Sequence, residues 1–298
     1  MRKVRALVSD PLHPEALQRL EEAGVEVVYR PGVEREELLE IVGAFEVLLV
    51  RSRTRVDREL LERATRLRVV GRAGTGLDNI DLEAARARGV RVVHTPGANA
   101  NAVAELTVGL MIALHRHLKQ AFYEREKPRR YGRELRGQTL GIVGLGRIGS
   151  RVAELAHAFG MRLLGSDPLP EAGPSHLPLR RVSLEKLLQD SDGITLHVPL
   201  NDRTRGLLGP TQLEQVKEGA WLVNTARAAL VDEEAIWEAL ERGRLSGYAA
   251  DVWEDPRLVT HPRVVTTPHI GAQTEEAQRN AGLGVAEQVL AALRGRDG

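Results

Sequence analysis

Residues 141–149 read Gly-Ile-Val-Gly-Leu-Gly-Arg-Ile-Gly, an apolar run that breaks into glycines and resumes at helical spacing through Val152, Leu155 and Ala156. A strand, a tight turn and a helix N-terminus carry that pattern. Gly144 permits the turn, Gly146 leaves the backbone open to a pyrophosphate, and Gly149 lets the helix pack on the strand. The N–H groups at such a helix start face an anion, so the stretch predicts a phosphate cradle. Glycine-rich turns also serve merely to join strands to helices, and the residues that follow help to decide. Residues 161–165 read as a second strand. Asp167 comes after it, about twenty residues beyond the glycines, where a carboxylate accepts hydrogen bonds from an adenosine ribose. Its plainer reading is a turn residue before Pro168. Taken with the glycines it points to the ribose, and an acid there disfavours a 2′-phosphate, so the expected cofactor is NAD rather than NADP.

Such motifs need a sheet to hold them, and the chain supplies one twice over. Val4–Val8, Val25–Tyr29, Val47–Val50, Leu67–Val70 and Val90–Val93 read as strands, with helical spacing over Pro14–Ala23, Glu34–Val42, Asp57–Ala64 and Ile80–Arg88 between them. The alternation implies a parallel, doubly wound sheet. A helix from near Asn101 and the cradle open a second unit, whose further strands are Gly193–Val198, Ala220–Asn224, Tyr248–Asp251 and Val264–Thr267. Helices are expected at Thr211–Val216 and Glu233–Glu241, and a final one at Glu275–Leu293. The charged stretch Glu124–Arg136, with Pro128 and Gly132, reads as an exposed connection.

Composition limits the partners. At 298 residues the chain holds two domains of ordinary size. With 42 Lys+Arg against 41 Asp+Glu, it has no general attraction to nucleic acid or membrane. The absence of cysteine excludes a disulfide framework, a thiolate metal site and a cysteine nucleophile. No spacing suggests a metal site of any other kind. The N-terminal apolar run is too short for a signal peptide, and Ala102–Leu114, interrupted by Glu105 and Thr107, is too short to span a bilayer, so a cytoplasmic protein is expected.

Several blocks in one order resemble the D-isomer-specific 2-hydroxyacid dehydrogenase family: residues 69–79 (Val-Val-Gly-Arg-Ala-Gly-Thr-Gly-Leu-Asp-Asn), 99–107, the cradle, 224–233 (Asn-Thr-Ala-Arg-Ala-Ala-Leu-Val-Asp-Glu) and 267–272 (Thr-Pro-His-Ile-Gly-Ala). The resemblance covers nearly the whole chain. It implies two doubly wound α/β domains, a Rossmann-type NAD domain over 97–275 inserted into a smaller flavodoxin-like substrate domain made of 1–96 and 276–298. It also implies a homodimer joined through the nucleotide domains. The cofactor site it implies contains Thr75, Gly144, Gly146, Arg147, Ile148, Gly149, Asp167, Val198, Thr225, Ala226, Asp251, Gly271 and Ala272. Arg147 and Ile148 lie on the pyrophosphate, and Asp251 reaches the nicotinamide amide.

Oxidising a secondary alcohol beside a carboxylate needs a base for the hydroxyl proton, a cation for the carboxylate and developing carbonyl, and a hydride acceptor. His269 follows a strand and precedes Ile270-Gly271, and its pKa range suits proton exchange. Alone, a loop histidine is usually solvent-facing; the family block makes it the acid/base. Arg227 on its own reads as a surface or ion-pair arginine with a planar fork suited to a carboxylate. The resemblance makes it the substrate-orienting arginine. The family's third catalytic group is a glutamate directly before a proline. Here Asp251-Val-Trp-Glu-Asp-Pro256 is one residue short, which assigns the role to Asp255, with Glu254 as the other candidate and ordinary solvated loop acids as the plainer reading. For substrate, Ala73-Gly-Thr-Gly76 is expected to present N–H groups to a carboxylate, through Gly74 and Thr75, and Arg51 and Arg72 to take a phosphate, unless they are ordinary surface charges. The other histidines singled out, at 94, 115, 117, 157, 197 and 261, read as structural or exposed.

The expected reaction is oxidation of D-3-phosphoglycerate to 3-phosphohydroxypyruvate with NAD, on the route to phosphoserine. The chain has no room after its final helix for the regulatory domain of longer relatives, so feedback by serine through such a domain is not expected. The alternatives are a glyoxylate or hydroxypyruvate reductase of the same family, or an NAD-sensing binding protein whose shortened acid loop has cost it turnover.

Overall fold

The computed structural model describes residues 3–126 and 130–295. Met1, Arg2, Lys127, Pro128, Arg129 and residues 296–298 lie outside them, and with them Pro128 of the charged connection and the outermost ends of the expected substrate domain. The chain divides into two compact units, residues 1–99 with 273–298, and residues 100–272.

The first unit begins with β1 (Arg5–Val8), α1 (Pro14–Glu22), β2 (Glu26–Tyr29), α2 (Arg35–Ile41), β3 (Val47–Val50), α3 (Arg58–Arg63), β4 (Val69–Arg72), α4 (Leu82–Ala87) and β5 (Arg91–His94). Asp57 and Asp81 cap α3 and α4 by accepting the N–H groups of Leu60 and Ala84, donors that an α-helix leaves without a partner at its start. All strand pairs are parallel, in the order β2-β1-β3-β4-β5, the flavodoxin-like order whose direction reverses between β1 and β3. Val47–Val50 is buried at all four positions, as befits a central strand covered on both faces.

The second unit runs α5 (Ala100–His115), α6 (Leu118–Ala121), β6 (Thr139–Val143), α7 (Arg147–Ala158), β7 (Arg162–Ser166), β8 (Leu179–Arg181), α8 (Leu184–Asp190), β9 (Gly193–Leu196), α9 (Pro210–Gln215), β10 (Ala220–Asn224), α10 (Glu233–Glu241), β11 (Leu245–Ala250), α11 (Arg257–Thr260) and β12 (Val264–Thr266). Seven parallel strands lie in the order β12-β11-β10-β9-β6-β7-β8, so the first strand of the unit is central and the direction reverses between β6 and β9. This is the doubly wound, dinucleotide-binding plan. Strand β8 and helices α6, α8 and α11 were not anticipated from the residue pattern.

The last helix, α12 (Glu275–Arg294), returns to the first unit. It lies against β4 so closely that a Cβ on Gly71 would fall 2.8 Å from the Val289 methyl and 3.0 Å from that of Val285. Val285, Val289, Leu290 and Leu293 join Ala6, Val8, Leu20, Val47 and Leu49 in one apolar cluster. Among the described residues, no helix is long and apolar enough to cross a membrane.

Candidate active site

The glycine turn stands where the second sheet reverses. Gly144 has φ +91°, and a Cβ there would meet the His197 carbonyl at 2.8 Å and Val198 at 2.9 Å, so the turn and the end of β9 touch through backbone. A Cβ on Gly149 would fall 1.9 Å from the Gly144 carbonyl oxygen. Gly146 differs from both. Its φ of −67° suits any residue, and a Cβ there would meet nothing within 4 Å. Two of the glycines are therefore required by the chain itself, and the third keeps a surface open to whatever approaches the start of α7. The N–H groups of that first turn, those of Arg147 and Ile148 among them, have no partner within the helix and suit an anion. Asp167 follows β7, and its carboxylate accepts the N–H of Leu145 at 2.7 Å and of Leu169 at 2.8 Å. It is thus tied to the glycine turn itself, with oxygen lone pairs left for hydroxyl donors. These residues fit a dinucleotide with a free ribose.

Strand β10 delivers Thr225, Ala226 and Arg227. Buried Asn224 fixes this turn from both sides, accepting the Ala226 N–H at 3.1 Å and donating to the Arg227 carbonyl at 2.8 Å. The Thr225 hydroxyl lies 2.9 Å from that of Thr107 on α5, and Arg227 donates to the Ala226 carbonyl at 2.7 Å. Strand β11 delivers Asp251, which is buried. Its carboxylate accepts the Thr267 hydroxyl at 2.6 Å and the N–H groups of Ile270 and Gly271, each at 2.8 Å. Its backbone carbonyl accepts the His269 N–H at 2.9 Å. His269 is held at φ +57°, a left-handed conformation that a non-glycine residue keeps only when its neighbours impose it. A Cβ on Gly271 would fall 2.9 Å from Asp251 Oδ2. Asp251 therefore braces the whole His269 loop, Gly271 and the approach to Ala272 included. The residue pattern did not reveal this role, because the acid and its donors lie about twenty residues apart.

The acid loop is placed differently from the expectation. Asp255 grips Arg257 through both carboxylate oxygens, at 2.8 and 3.1 Å from Nε and 2.6 Å from Nη2, and also accepts the Arg257 N–H at 2.9 Å. That guanidinium holds the Asp255 carboxyl below the usual carboxylate range, and Arg257 pairs with Glu234 as well. No hydrogen bond or ion pair links Asp255 or the exposed Glu254 side chain to His269 among the described residues. Glu233, at the start of α10, anchors the loop by accepting the N–H groups of Asp255 at 2.6 Å and Glu254 at 3.0 Å. Just past the end of β9, His197 places Nε2 3.0 Å from the Thr195 hydroxyl, while its buried Nδ1 has no hydrogen-bond partner among the described residues. Burial pushes its pKa down to about 3.

In the first unit, the expected anion nest narrows. The Ala73 N–H already donates to the Val50 carbonyl at 2.9 Å and the Gly74 N–H to the Thr95 hydroxyl at 2.8 Å, which leaves the N–H groups of Thr75 and Gly76. The Thr75 hydroxyl lies 3.0 Å from Asn99 Oδ1. Arg72 folds over the turn, so that a Cβ on Gly74 would fall 1.8 Å from its Nη1. Arg51 is half-buried at the carboxyl end of β3, and burial lowers its pKa, the nearby charge of Asp10 opposing the shift.

Comparison with known proteins agrees with this geometry. A family model described as D-isomer specific 2-hydroxyacid dehydrogenase, NAD binding domain, matches residues 108–271. The chain is 46% identical to D-3-phosphoglycerate dehydrogenase of Methanocaldococcus jannaschii, over 98% of this chain and 58% of that protein, so it spans under two thirds of that relative's length. It is 41% identical to hydroxypyruvate reductase of Thermotoga maritima, over 98% of this chain and 99% of that one. The structure of NAD+-bound 3-phosphoglycerate dehydrogenase of Entamoeba histolytica superposes with a TM-score of 0.84 at 32% identity, covering 97% of this chain and 94% of that one.

Proposed function

Since the chain belongs to the D-isomer-specific 2-hydroxyacid dehydrogenase family, we propose that it is an NAD-dependent dehydrogenase acting on D-3-phosphoglycerate. The observation that carries the substrate is Arg51, half-buried at the strand ends where the first sheet reverses, whose guanidinium forms no ion pair among the described residues. Relatives named D-3-phosphoglycerate dehydrogenase at 40–46% identity support the same reading.

Bound NAD supplies the acceptor for the hydride that leaves the carbinol carbon. The cradle, Asp167 and Val198 would hold the dinucleotide, with Thr225, Ala226, Gly271, Ala272 and Asp251 of the same unit toward its nicotinamide end. Arg227, its backbone fixed by Asn224, orients the carboxylate bidentately and favours the developing carbonyl. His269 removes the hydroxyl proton. Its loop is braced by Asp251, so the imidazole is delivered in one place rather than searching for it. Within the first unit, the N–H groups of Thr75 and Gly76 suit a carboxylate, and Arg51 and Arg72 are assigned to a phosphate. Asp255, bound to Arg257, acts on the imidazolium only after release from that pair.

The unit carrying the cradle also exposes Phe122, Tyr123 and Tyr131 at 77, 88 and 92%. Aromatic side chains so open to water favour burial against a partner surface, which supports a homodimer through this unit. A cysteine-free chain has no need of an oxidising compartment, in keeping with a cytoplasmic enzyme. A second reading, hydroxypyruvate or glyoxylate reduction, is favoured by the full-length correspondence with the hydroxypyruvate reductase.

The deciding experiment follows NAD reduction with 3-phosphoglycerate and D-glycerate, and NADH oxidation with hydroxypyruvate and glyoxylate, in wild type, His269→Ala and Asp255→Ala. Preference for the phosphorylated acid, with kcat reduced about 10²–10⁴-fold in His269→Ala and less in Asp255→Ala, supports the proposal. Preference for hydroxypyruvate selects the second reading, and NAD binding with no turnover on any of the four acids refutes both.

A further inference from the structure

The reversal of the first sheet between β1 and β3 is where two neighbouring loops part and leave room beyond the strand ends. One loop is Ser9-Asp10-Pro11, leaving β1, and the other is Arg51-Ser-Arg-Thr54, leaving β3. Asp10 is 1% exposed, yet no lysine or arginine side chain pairs with it among the described residues. Its Oδ2 instead accepts the N–H of Arg51 at 2.6 Å and of Thr54 at 3.1 Å, and its Oδ1 accepts the Thr54 hydroxyl at 2.8 Å. Asn79, in the loop after β4, donates to the carbonyls of Arg51 at 2.8 Å and Thr54 at 2.7 Å. The loop is thus gripped by its N–H groups from one side and its carbonyls from the other.

What that grip presents is one arginine of two. Arg53 donates to the Gly32 carbonyl at 3.0 Å and lies 3.6 Å from Glu34. Arg51 is half-buried without an ion pair among the described residues. A partly desolvated guanidinium keeps its proton and gains most from an anion delivered to it.

We propose that Asp10, with Asn79, is the positioning residue that aims Arg51 at the anionic end of the substrate, and thereby sets the preference for a phosphorylated over an unphosphorylated 2-hydroxy acid. This rests on the substrate reading above. Asp10 touches no substrate; it fixes the peptide planes on either side of the loop, and with them the direction in which the Arg51 side chain leaves the backbone. The charge of Asp10 also favours the protonated form of Arg51, but an arginine keeps its proton with or without it, so what the clamp adds to recognition is geometry. An asparagine at position 10 can keep all three contacts, its oxygen accepting both N–H groups and its amide donating to Thr54, whose hydroxyl then donates to Ser9 Oγ, 2.9 Å away.

The test measures kcat and KM for 3-phosphoglycerate and D-glycerate in wild type, Arg51→Ala, Asp10→Ala, Asp10→Asn, Asn79→Ala and the Arg51→Ala/Asp10→Ala double variant, with NAD titration and thermal melting as checks of folding. Asp10→Ala and Asn79→Ala are expected to raise KM for 3-phosphoglycerate at least tenfold, with kcat and the KM for D-glycerate within threefold of wild type. Asp10→Asn restores the wild-type KM, and the double variant is no worse than Arg51→Ala alone. If Arg51→Ala selectively weakens 3-phosphoglycerate while Asp10→Ala and Asn79→Ala do not, the positioning role is overturned and the substrate reading stands. If Arg51→Ala has no selective effect, the phosphate assignment fails and the positioning role with it. Should Asp10→Ala not fold, Asn79→Ala and Asp10→Asn decide by the same criteria.

Discussion

Replacing Gly146 by alanine separates what the fold needs from what a ligand needs. Two effects act on the free protein. A glycine-to-alanine change at a permitted backbone conformation stabilises by about 0.4–1 kcal/mol through the unfolded chain. Alanine is a poorer N-cap than glycine, by an amount of similar size and opposite sign. Since a Cβ at this position meets nothing within 4 Å, the stability of the free protein is expected to stay within about 1 kcal/mol of wild type, a shift of only a few degrees in Tm. The same methyl group stands where a pyrophosphate must approach the first turn of α7. Losing two hydrogen bonds to a charged oxygen at about 1.5 kcal/mol each, the low end of their range, costs about 3 kcal/mol and weakens NAD roughly a hundredfold. At an NAD concentration about 100 times the wild-type Kd, the wild type gains about 2.7 kcal/mol from the ligand and the variant only about 0.4 kcal/mol. Calorimetric titration and thermal melts with and without NAD measure both quantities. The contrasting variant is Gly149→Ala, whose Cβ falls 1.9 Å from a backbone oxygen; it is expected to destabilise the free protein by about 3 kcal/mol or more. A Kd for NAD within threefold of wild type in Gly146→Ala, or a loss of free stability above about 2 kcal/mol, would refute the assignment of this turn.

Asp251→Ala removes the acceptor of three hydrogen bonds and is expected to release the His269 loop by about 3 kcal/mol or more, with kcat reduced about a hundredfold; unchanged amide hydrogen exchange at residues 269–271 would speak against the bracing role. His197 is neutral in the folded protein down to about pH 3, whereas the unfolded chain takes up that proton near pH 6.5. The unfolded state therefore binds more protons between those values, and stability falls as the pH is lowered through that window. Urea denaturation of His197→Gln between pH 7 and 4 is expected to show a shallower decline, and a slope equal to that of wild type contradicts it.

Central elements were legible from the residues because burial on both faces leaves unbroken apolar runs, as at Val47–Val50 and Ala220–Asn224. Strand β8 was not, since Leu179-Arg-Arg pairs only along the sheet edge and its arginines face water. Helix α8 carries its cap at Ser183 and its buried pair at Leu187 and Leu188, but seven residues show too little periodicity to stand out. The cradle was readable because a turn that allows no Cβ writes itself as glycine. The anion nest was overread: which of its N–H groups are engaged depends on Val50 on β3 and Thr95 just past β5, each more than twenty residues away. Asp10 escaped notice for a similar reason. Its partners are mainly backbone N–H groups over forty residues distant, and backbone donors leave no mark on residue type.

Helix α12 also imposes an order of events during synthesis. The five strands of the first sheet have all been made by residue 94, yet the helix that supplies Val285, Val289 and Leu293 to its core begins at residue 275. About 180 residues separate the two, or roughly 10–40 s at ribosomal rates of about 5–20 residues per second. The second unit, contiguous in the chain, has its strands complete before α12 is translated. The part of the protein that starts first is therefore the last to close, and in the interval an apolar face of its sheet waits for the final helix, a natural place for a chaperone to act.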